Sequence, residues 1–229
     1  MLVNLRRPAS ENALVWNLIY PLAQPNIPIQ QMLTLRPLWG IPSMPPDEDS
    51  LKPYFWGYAI SGQHLPGLDS VLQFVNGPGP QTEVDLFLVG EDNLVLVEAK
   101  NRSGLGHCSR YQRGRCPEVH TMDDESTQPC RYWEAPEARF NDILDLEPRP
   151  IQDGPMPACS THYQLARTLL VGRELARRTQ KALHIWMILP RKRWGAIQRT
   201  WLDFCDRLRE DSLWRRMRVL AWEDVHDSI

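Results

Sequence analysis

The sequence lacks several features that would assign the protein to a special class. No apolar run reaches the roughly 18 residues that a membrane-spanning helix needs, and no internal repeat is present. The formal net charge is only −2, so composition alone gives no attraction to nucleic acid or to an anionic membrane. The N-terminus has no secretory signal pattern, and the cysteines number five, which is odd. We therefore expect a non-membrane protein of the cytoplasm without a disulfide framework.

The sequence contains enough apolar material for a single domain over residues 1–229. Hydrophobic residues make up 42% of the chain, which is sufficient for a sizeable core. Prolines are concentrated in residues 21–66, where they exclude long helices, so we expect irregular chain there with one short strand near residues 54–60. Residues 101–161 have few apolar runs and hold four of the five cysteines. We interpret them as a long insertion.

Hydrophobic periodicity predicts the regular elements around these two segments. A helix is expected within residues 9–23, with Ser10 as its N-cap and Pro21 closing it. Three strands should follow, the last two forming a hairpin around a tight turn, over residues 68–77, 83–90 and 93–100. After the insertion we expect a helix, a strand, a helix and a strand, over residues 161–180, 182–190, 196–211 and 217–222. This order predicts an α/β fold in which helices cover a mixed sheet.

The last of the three strands ends in charged residues. Side chains alternate along a strand, so Glu98 and Lys100 should share a face with Leu94 and Leu96. If Asp85 lies on the neighbouring strand, two carboxylates and an ammonium meet at one end of the sheet. Neighbouring carboxylates raise each other's pKa unless a cation lies between them, and Mg²⁺ prefers oxygen ligands of this kind. The alternative is an ion pair at the sheet edge that blocks edge pairing.

These residues carry a resemblance to a known family. Asp85, followed after twelve residues by Glu98-Ala99-Lys100, resembles the D…(D/E)xK signature of the PD-(D/E)xK nuclease superfamily, which has the restriction-endonuclease-like fold. The order of predicted elements is similar to the core of that fold, although Val84 replaces the proline of the signature. The resemblance implies a nuclease that uses Mg²⁺ or Mn²⁺, held by Asp85 and Glu98, to hydrolyse phosphodiester bonds. Lys100 would assist the attacking water.

The resemblance implies two further site residues. Glu11 on the first helix would be a third metal ligand, and Gln164, at the start of the helix after the third strand, would lie near the site. The alternatives are an acid favoured by the helix dipole for Glu11 and an exposed helix residue for Gln164. The substrate would be nucleic acid, with DNA favoured, and a homodimer is possible. The alternative function is a catalytically inactive nucleic-acid-binding or scaffolding protein on the same fold.

The cysteines of the insertion leave three interpretations open. They lie at spacings of eight, fourteen and twenty-nine residues, as Cys108, Cys116, Cys130 and Cys159. These spacings do not reproduce the C-x₂-C pattern of many zinc sites. The thiols could be free and partly buried, or could hold a zinc ion that stabilises the polar insertion. Some nucleases of the superfamily hold an iron–sulfur cluster on four cysteines, which is the third interpretation. The fifth, Cys205, is expected on the core face of its helix.

A basic stretch follows the third strand. Arg110, Arg113 and Arg115 are interleaved with Tyr111, an arrangement that suits a phosphate backbone and unstacked bases. A solvated loop is the alternative. No zinc-finger, helix-turn-helix or basic-zipper pattern is present, so nothing in the sequence indicates readout of bases in a duplex.

Overall fold

The computed structural model of this protein describes residues 10–20, 29–41, 51–120, 129–136, 138–146 and 156–228. The strands in this part of the chain are β1 (Trp39–Gly40), β2 (Lys52–Phe55), β3 (Leu86–Val89), β4 (Asn93–Ala99), β5 (Ala182–Leu189) and β6 (Met217–Ala221). The α-helices are α1 (Glu11–Leu14), α2 (Leu68–Asn76), α3 (Ser109–Gln112), α4 (Arg131–Glu134), α5 (Ala158–Thr161), α6 (Tyr163–Thr179), α7 (Trp194–Asp206) and α8 (Trp222–Asp227). A π-helix continues α1 over Val15–Ile19, and 3₁₀ helices span Ile29–Thr34, Phe140–Asp142, Arg191–Arg193 and Leu213–Arg216.

The six strands form one mixed sheet in the order β1-β6-β5-β4-β3-β2. Strands β2, β3 and β4 are antiparallel neighbours, whereas β4, β5 and β6 run parallel. Parallel neighbours need a crossover connection, and α6 and α7 lie in the two connections that join them. The predicted mixed sheet with helices on its faces is therefore confirmed, and so is the predicted β3–β4 hairpin, in which Leu86 pairs with Val97.

Apolar side chains cover both faces of the sheet. On β4, Leu94 and Leu96 belong to a large cluster that includes the buried sides of α6 and α7. Val95, Val97 and Ala99 belong to a second cluster on the other face, packed with the first helical segment and α8. This alternation confirms the predicted two faces of β4. It also puts the side chains of residues 98 and 100 on the α6 side of the sheet.

One predicted strand was wrong. Residues 68–77 form the helix α2 instead of a strand. Leu68, Val71 and Val75 are buried at spacings of three and four residues, which places them on one helical face. The polar residues between them occupy the other helical face, so the sequence pattern has the period of a helix.

In the N-terminal third of the chain, the first helix and the first predicted strand differ in detail from the prediction. The predicted first helix is observed as α1 and its π-helical continuation, while Pro21, expected to close it, lies outside the described residues. The short strand predicted near residues 54–60 is β2, which begins earlier and ends at Phe55. Helix α8 at the other end of the chain was not predicted.

The insertion contributes more to the core than its composition suggests. In its described parts, regular structure is limited to four-residue helices and one 3₁₀ turn, as expected. However, Tyr132, Trp133, Phe140 and Leu144 are buried within the core cluster on the α6 side of the sheet. The insertion therefore packs on the domain through a few large side chains. None of the described helices has the length and apolar character to cross a membrane.

Candidate active site

One end of the sheet carries a group of charged side chains. Asp85 immediately precedes β3, and continuing the antiparallel register from the Leu86–Val97 pair places it opposite Glu98 on β4. The β4–β5 ladder extends one residue further, because the Lys100 N–H donates to the carbonyl of Ile188 at 2.8 Å. Strand register thus brings Asp85, Glu98 and Lys100 to the same edge. We call these three residues the carboxylate–lysine site.

Glu98 and Lys100 of the carboxylate–lysine site are buried, whereas Asp85 is partly exposed. Glu98 and Lys100 are only 3% and 4% exposed, and the Lys100 Nζ lies 2.9 Å from Glu98 Oε1. Asp85 Oδ2 accepts a 2.8 Å hydrogen bond from the Ala99 N–H, which fixes its carboxylate beside the backbone of β4. A buried ion pair loses much of its Coulomb energy to desolvation, so it is poor evidence for a purely stabilising role.

Gln164, in the first turn of α6, connects the two charges. Its Nε2 donates to Glu98 Oε1, and its Oε1 accepts from Lys100 Nζ at 3.1 Å. The same Oε1 accepts from the Gly106 N–H at 2.8 Å. Gln164 therefore lies inside the site rather than on an exposed helix face, and it ties the insertion to the end of β4.

Glu11, the first residue of α1, borders the site from the other side. Its Oε1 accepts from the Asn101 N–H at 3.0 Å and from the Ser103 hydroxyl. The Glu11 carboxylate also raises the pKa of both Asp85 and Glu98. The structure thus brings together all five site residues named from the sequence, and it gives Glu11 the added task of holding the loop that follows Lys100.

The pKa values of the two central carboxyls are shifted upward. Burial, followed by repulsion from Glu98, raises the pKa of Asp85 to about 8, against the smaller opposing effects of the Ala99 N–H and of Lys100. Burial also raises the pKa of Glu98, although Lys100 opposes the shift. For Lys100, burial acts to lower the pKa, but the attraction of Glu98, Glu11 and Asp85 outweighs it and the net shift is upward. Lys100 therefore stays charged, but its single positive charge is not enough to offset the carboxyls around it.

The donor set suits a small divalent cation. Three carboxyl groups face one ammonium, so ionisation of all three would leave an excess of negative charge that a bound cation would offset. Among the described residues, Glu98 Oε2 is buried without a hydrogen-bond partner. The Thr168 hydroxyl, one turn beyond Gln164 on α6, is close enough to lower the pKa of Glu98 but makes no hydrogen bond of normal geometry. An unpaired buried carboxylate oxygen is costly, and a cation bound there would remove that cost.

Mg²⁺ is commonly held by one or two carboxylates together with water and substrate phosphate. Within the described ranges, no three His, Cys, Asp or Glu side chains are arranged as a complete set of metal ligands. The carboxylate–lysine site does not need such a set, because two carboxylates suffice for Mg²⁺.

Comparison with protein-family models, with curated proteins and with solved structures finds no match to this chain.

Aromatic residues that sequence reasoning missed fix the backbone of the site. The Trp56 N–H donates to the Asp85 carbonyl at 3.1 Å, from a left-handed conformation with φ of 51° that a tryptophan rarely adopts. The Trp56 ring stacks on Trp16. On the other side, Trp222 Nε1 donates to the Lys100 carbonyl at 2.8 Å. No local sequence signal identifies these contacts, because each joins residues far apart in the chain.

Two groups of basic residues flank the site. Arg193, which follows the parallel strand β5, donates to the carbonyls of Arg102 at 3.1 Å and Ser103 at 3.4 Å, so it holds the same loop that Glu11 holds. The arginines named from the sequence, Arg110, Arg113 and Arg115, are exposed on α3 and just after it. Helix α3 begins three residues beyond Gly106, the residue bound by Gln164.

Proposed function

We propose that this protein is a divalent-metal-dependent nuclease that hydrolyses phosphodiester bonds in nucleic acid, with DNA as the favoured substrate. The observation that carries the proposal is the convergence of Asp85, Glu98 and Lys100 at one sheet edge, where Gln164 links the buried pair of Glu98 and Lys100. A structural ion pair would need one charge of each sign. This site has surplus carboxylates and an unpaired carboxylate oxygen, which a structural role does not explain.

Asp85 and Glu98 would hold Mg²⁺ or Mn²⁺, and Glu11 is placed to add a third carboxylate. When bound, the ion would supply a Lewis acid that makes water more acidic and offsets charge on the scissile phosphate. A cation would also lower the raised pKa values of both carboxyls, because it favours their charged forms.

The residues of the chain itself then have distinct tasks. Lys100 donates to Glu98 and Gln164, and an ammonium has three N–H donors. In this proposal the third donor meets the attacking water or a phosphate oxygen, where a fixed positive charge stabilises the charge that develops. Gln164 fixes the positions of the Lys100 and Glu98 side chains relative to each other. Burial of the lysine limits its rotamers, so little reorganisation is needed on substrate binding.

The basic residues around the site support a polyanionic substrate. Lys192 is exposed at the end of β5, in the segment that also carries Arg193, and Arg102 is exposed in the loop after Lys100. The carboxyl ends of parallel strands lie at one edge of a sheet, so these cations, which follow β4 and β5, lie on the same side of the sheet as Lys100. Phosphate contacts of this kind position a nucleic acid without reading its bases.

Cleavage of supercoiled plasmid and of single-stranded DNA tests the proposal. The protein should cleave only with added Mg²⁺ or Mn²⁺, and Asp85→Asn should abolish cleavage. Asp69→Asn is the matched control, because Asp69 is an exposed carboxylate on α2 with 86% of its side chain accessible. Absence of cleavage by the parent under all these conditions, with retained DNA binding, would favour the inactive binding protein instead.

A further inference from the structure

The cysteines of the insertion lie on separate segments of the chain, and the fold brings these segments into contact. Cys108 directly precedes α3, Cys116 follows it, Cys130 precedes α4, and Cys159 lies in α5. The Cys108 N–H donates to the carbonyl of Ser160 at 3.2 Å, so the backbone of Cys108 contacts the residue that follows Cys159. The chain segments that carry Cys108 and Cys159 are thus adjacent in the fold.

A second set of contacts joins the other two. Trp133 lies close enough to the Cys159 thiol to act against the burial that raises its pKa, and the backbone N–H of Trp133 donates to the Cys130 carbonyl at 2.9 Å. The Cys130 N–H in turn donates to Glu118 Oε1 at 3.4 Å, two residues after Cys116. The contacts therefore form a continuous series through all four segments.

The electrostatic influence of the thiols agrees with this arrangement. Burial raises the pKa of Cys130 to about 11, with smaller contributions from Cys108 and Cys116. Burial raises the pKa of Cys159 to about 12, and the other three cysteines add to the shift. The pKa of Cys205 is raised by burial and by Asp206, and none of the four contributes. The four behave as one group, which we call the cysteine cluster, and the fifth cysteine stands apart.

We propose that Cys108, Cys116, Cys130 and Cys159 form a tetrathiolate site for a structural Zn²⁺ ion. Four thiolates in tetrahedral arrangement are a common ligand set of structural zinc, and all four thiols are free. Soft thiolates favour zinc, whereas the oxygen donors of the carboxylate–lysine site suit Mg²⁺, so the two sites favour different ions. Since no three of these groups already form a ligand set in the described chain, binding would draw the four segments closer together.

The surroundings explain why a metal ion would be useful here. The described insertion is held by four-residue helices and a few large side chains, and helices this short have little stability of their own. Metal-binding free energy adds directly to folding free energy when the site forms only in the folded chain. A closed zinc site supplies that cross-link without redox chemistry.

Metal analysis of the full chain, purified under reducing conditions without added metal, tests the proposal. We expect about one zinc per chain, reduced at least several-fold in Cys130→Ser and in Cys159→Ser. Cys205→Ser is the matched control and should keep its zinc, and Asp85→Asn should keep it too, which separates this result from the nuclease proposal. Equal loss of zinc in Cys205→Ser would contradict the assignment of ligands.

A second measurement covers the case in which the cysteine variants fail to fold. Titration of the parent protein with a mercurial reagent, in the presence of a chromogenic zinc chelator, should release zinc in step with modification of the cysteine cluster. Before release, these thiols should resist alkylation. A folded parent protein that contains no zinc, or that contains iron with acid-labile sulfide instead, would overturn the proposal.

Discussion

At the carboxylate–lysine site, strand register determines where the reactive groups lie, whereas in the cysteine cluster four-residue helices and loops hold them. Asp85, Glu98 and Lys100 follow from one hairpin and one parallel ladder. The cysteines depend on contacts such as that from Cys108 to Ser160, which span long stretches of irregular chain. The difference suggests a division of labour. The rigid sheet edge suits chemistry that needs fixed distances, and the insertion suits a cross-link that provides stability.

Loss of a cysteine ligand should produce the largest effect on stability and little effect on chemistry. Cys159→Ser should lower the free energy of unfolding by several kcal/mol, because metal binding contributes folding free energy. Turnover of the folded fraction at low temperature should stay within a few-fold of the parent. Thermal unfolding and cleavage assays on the same samples would measure both, with Cys205→Ser as control. A large fall in turnover as well as in stability would contradict the proposal that the insertion provides stability and the sheet edge provides the chemistry.

Loss of the lysine should have the opposite pattern. Lys100→Met keeps most of the side-chain volume but removes the ammonium, so turnover should fall by a factor on the order of a hundred or more, as for other groups that stabilise transition-state charge. The free energy of unfolding should change less than it does on loss of a zinc ligand, because Glu98 can accept a proton when Lys100 is absent. Lys52→Met, on the exposed edge strand β2, is the matched control. Unchanged turnover in Lys100→Met would rule out a catalytic role for this residue.

The two regions were also unequally predictable from the sequence. The β3–β4 hairpin and the two faces of β4 could be predicted, because runs rich in branched apolar residues and a tight turn are local signals, and side chains alternate along any strand. Thr168 could have been found by its spacing of four from Gln164 on α6. By contrast, the contacts of Trp56 and Trp222 with the site, and the convergence of the cysteine cluster, depend on pairings between distant segments. The strand predicted at residues 68–77 failed because its buried positions follow a helical period.

The pH dependence of stability tests the carboxylate–lysine site without an activity assay. The folded-state pKa of Asp85 is raised from 3.8 to about 8, so between these values the folded protein binds more protons than the unfolded chain. Without divalent metal, stability should therefore fall as pH rises from about 4 to about 8, by no more than about 6 kcal/mol, since one pKa unit corresponds to about 1.4 kcal/mol. Asp85→Asn should flatten this slope, and Mg²⁺ should stabilise the parent more at pH 8 than at pH 6. A parent protein whose stability rises steadily over this range would contradict the raised pKa.

The smallest expected effect concerns the packing that holds α6, and with it Gln164, against the sheet. A Cβ added at Gly172 would lie 2.8 Å from Leu183 Cδ1 and 3.0 Å from Leu96 Cδ2. Leu96 is fully buried, so it cannot yield without displacing its neighbours. Gly172→Ala should therefore cost about 1 kcal/mol, since overpacking outweighs the gain in helix propensity.

Gly195→Ala is the matched control for this packing. Gly195 lies in α7, with nothing within 4 Å of the added carbon, and alanine there should stabilise the protein by roughly 0.5–1 kcal/mol. Chemical denaturation would measure both variants. If Gly172→Ala were as stabilising as Gly195→Ala, the helix would be able to move relative to the sheet. The rigidity attributed to the carboxylate–lysine site, in contrast to the insertion, would then have to come from the strands and the hydrogen bonds of Gln164 alone.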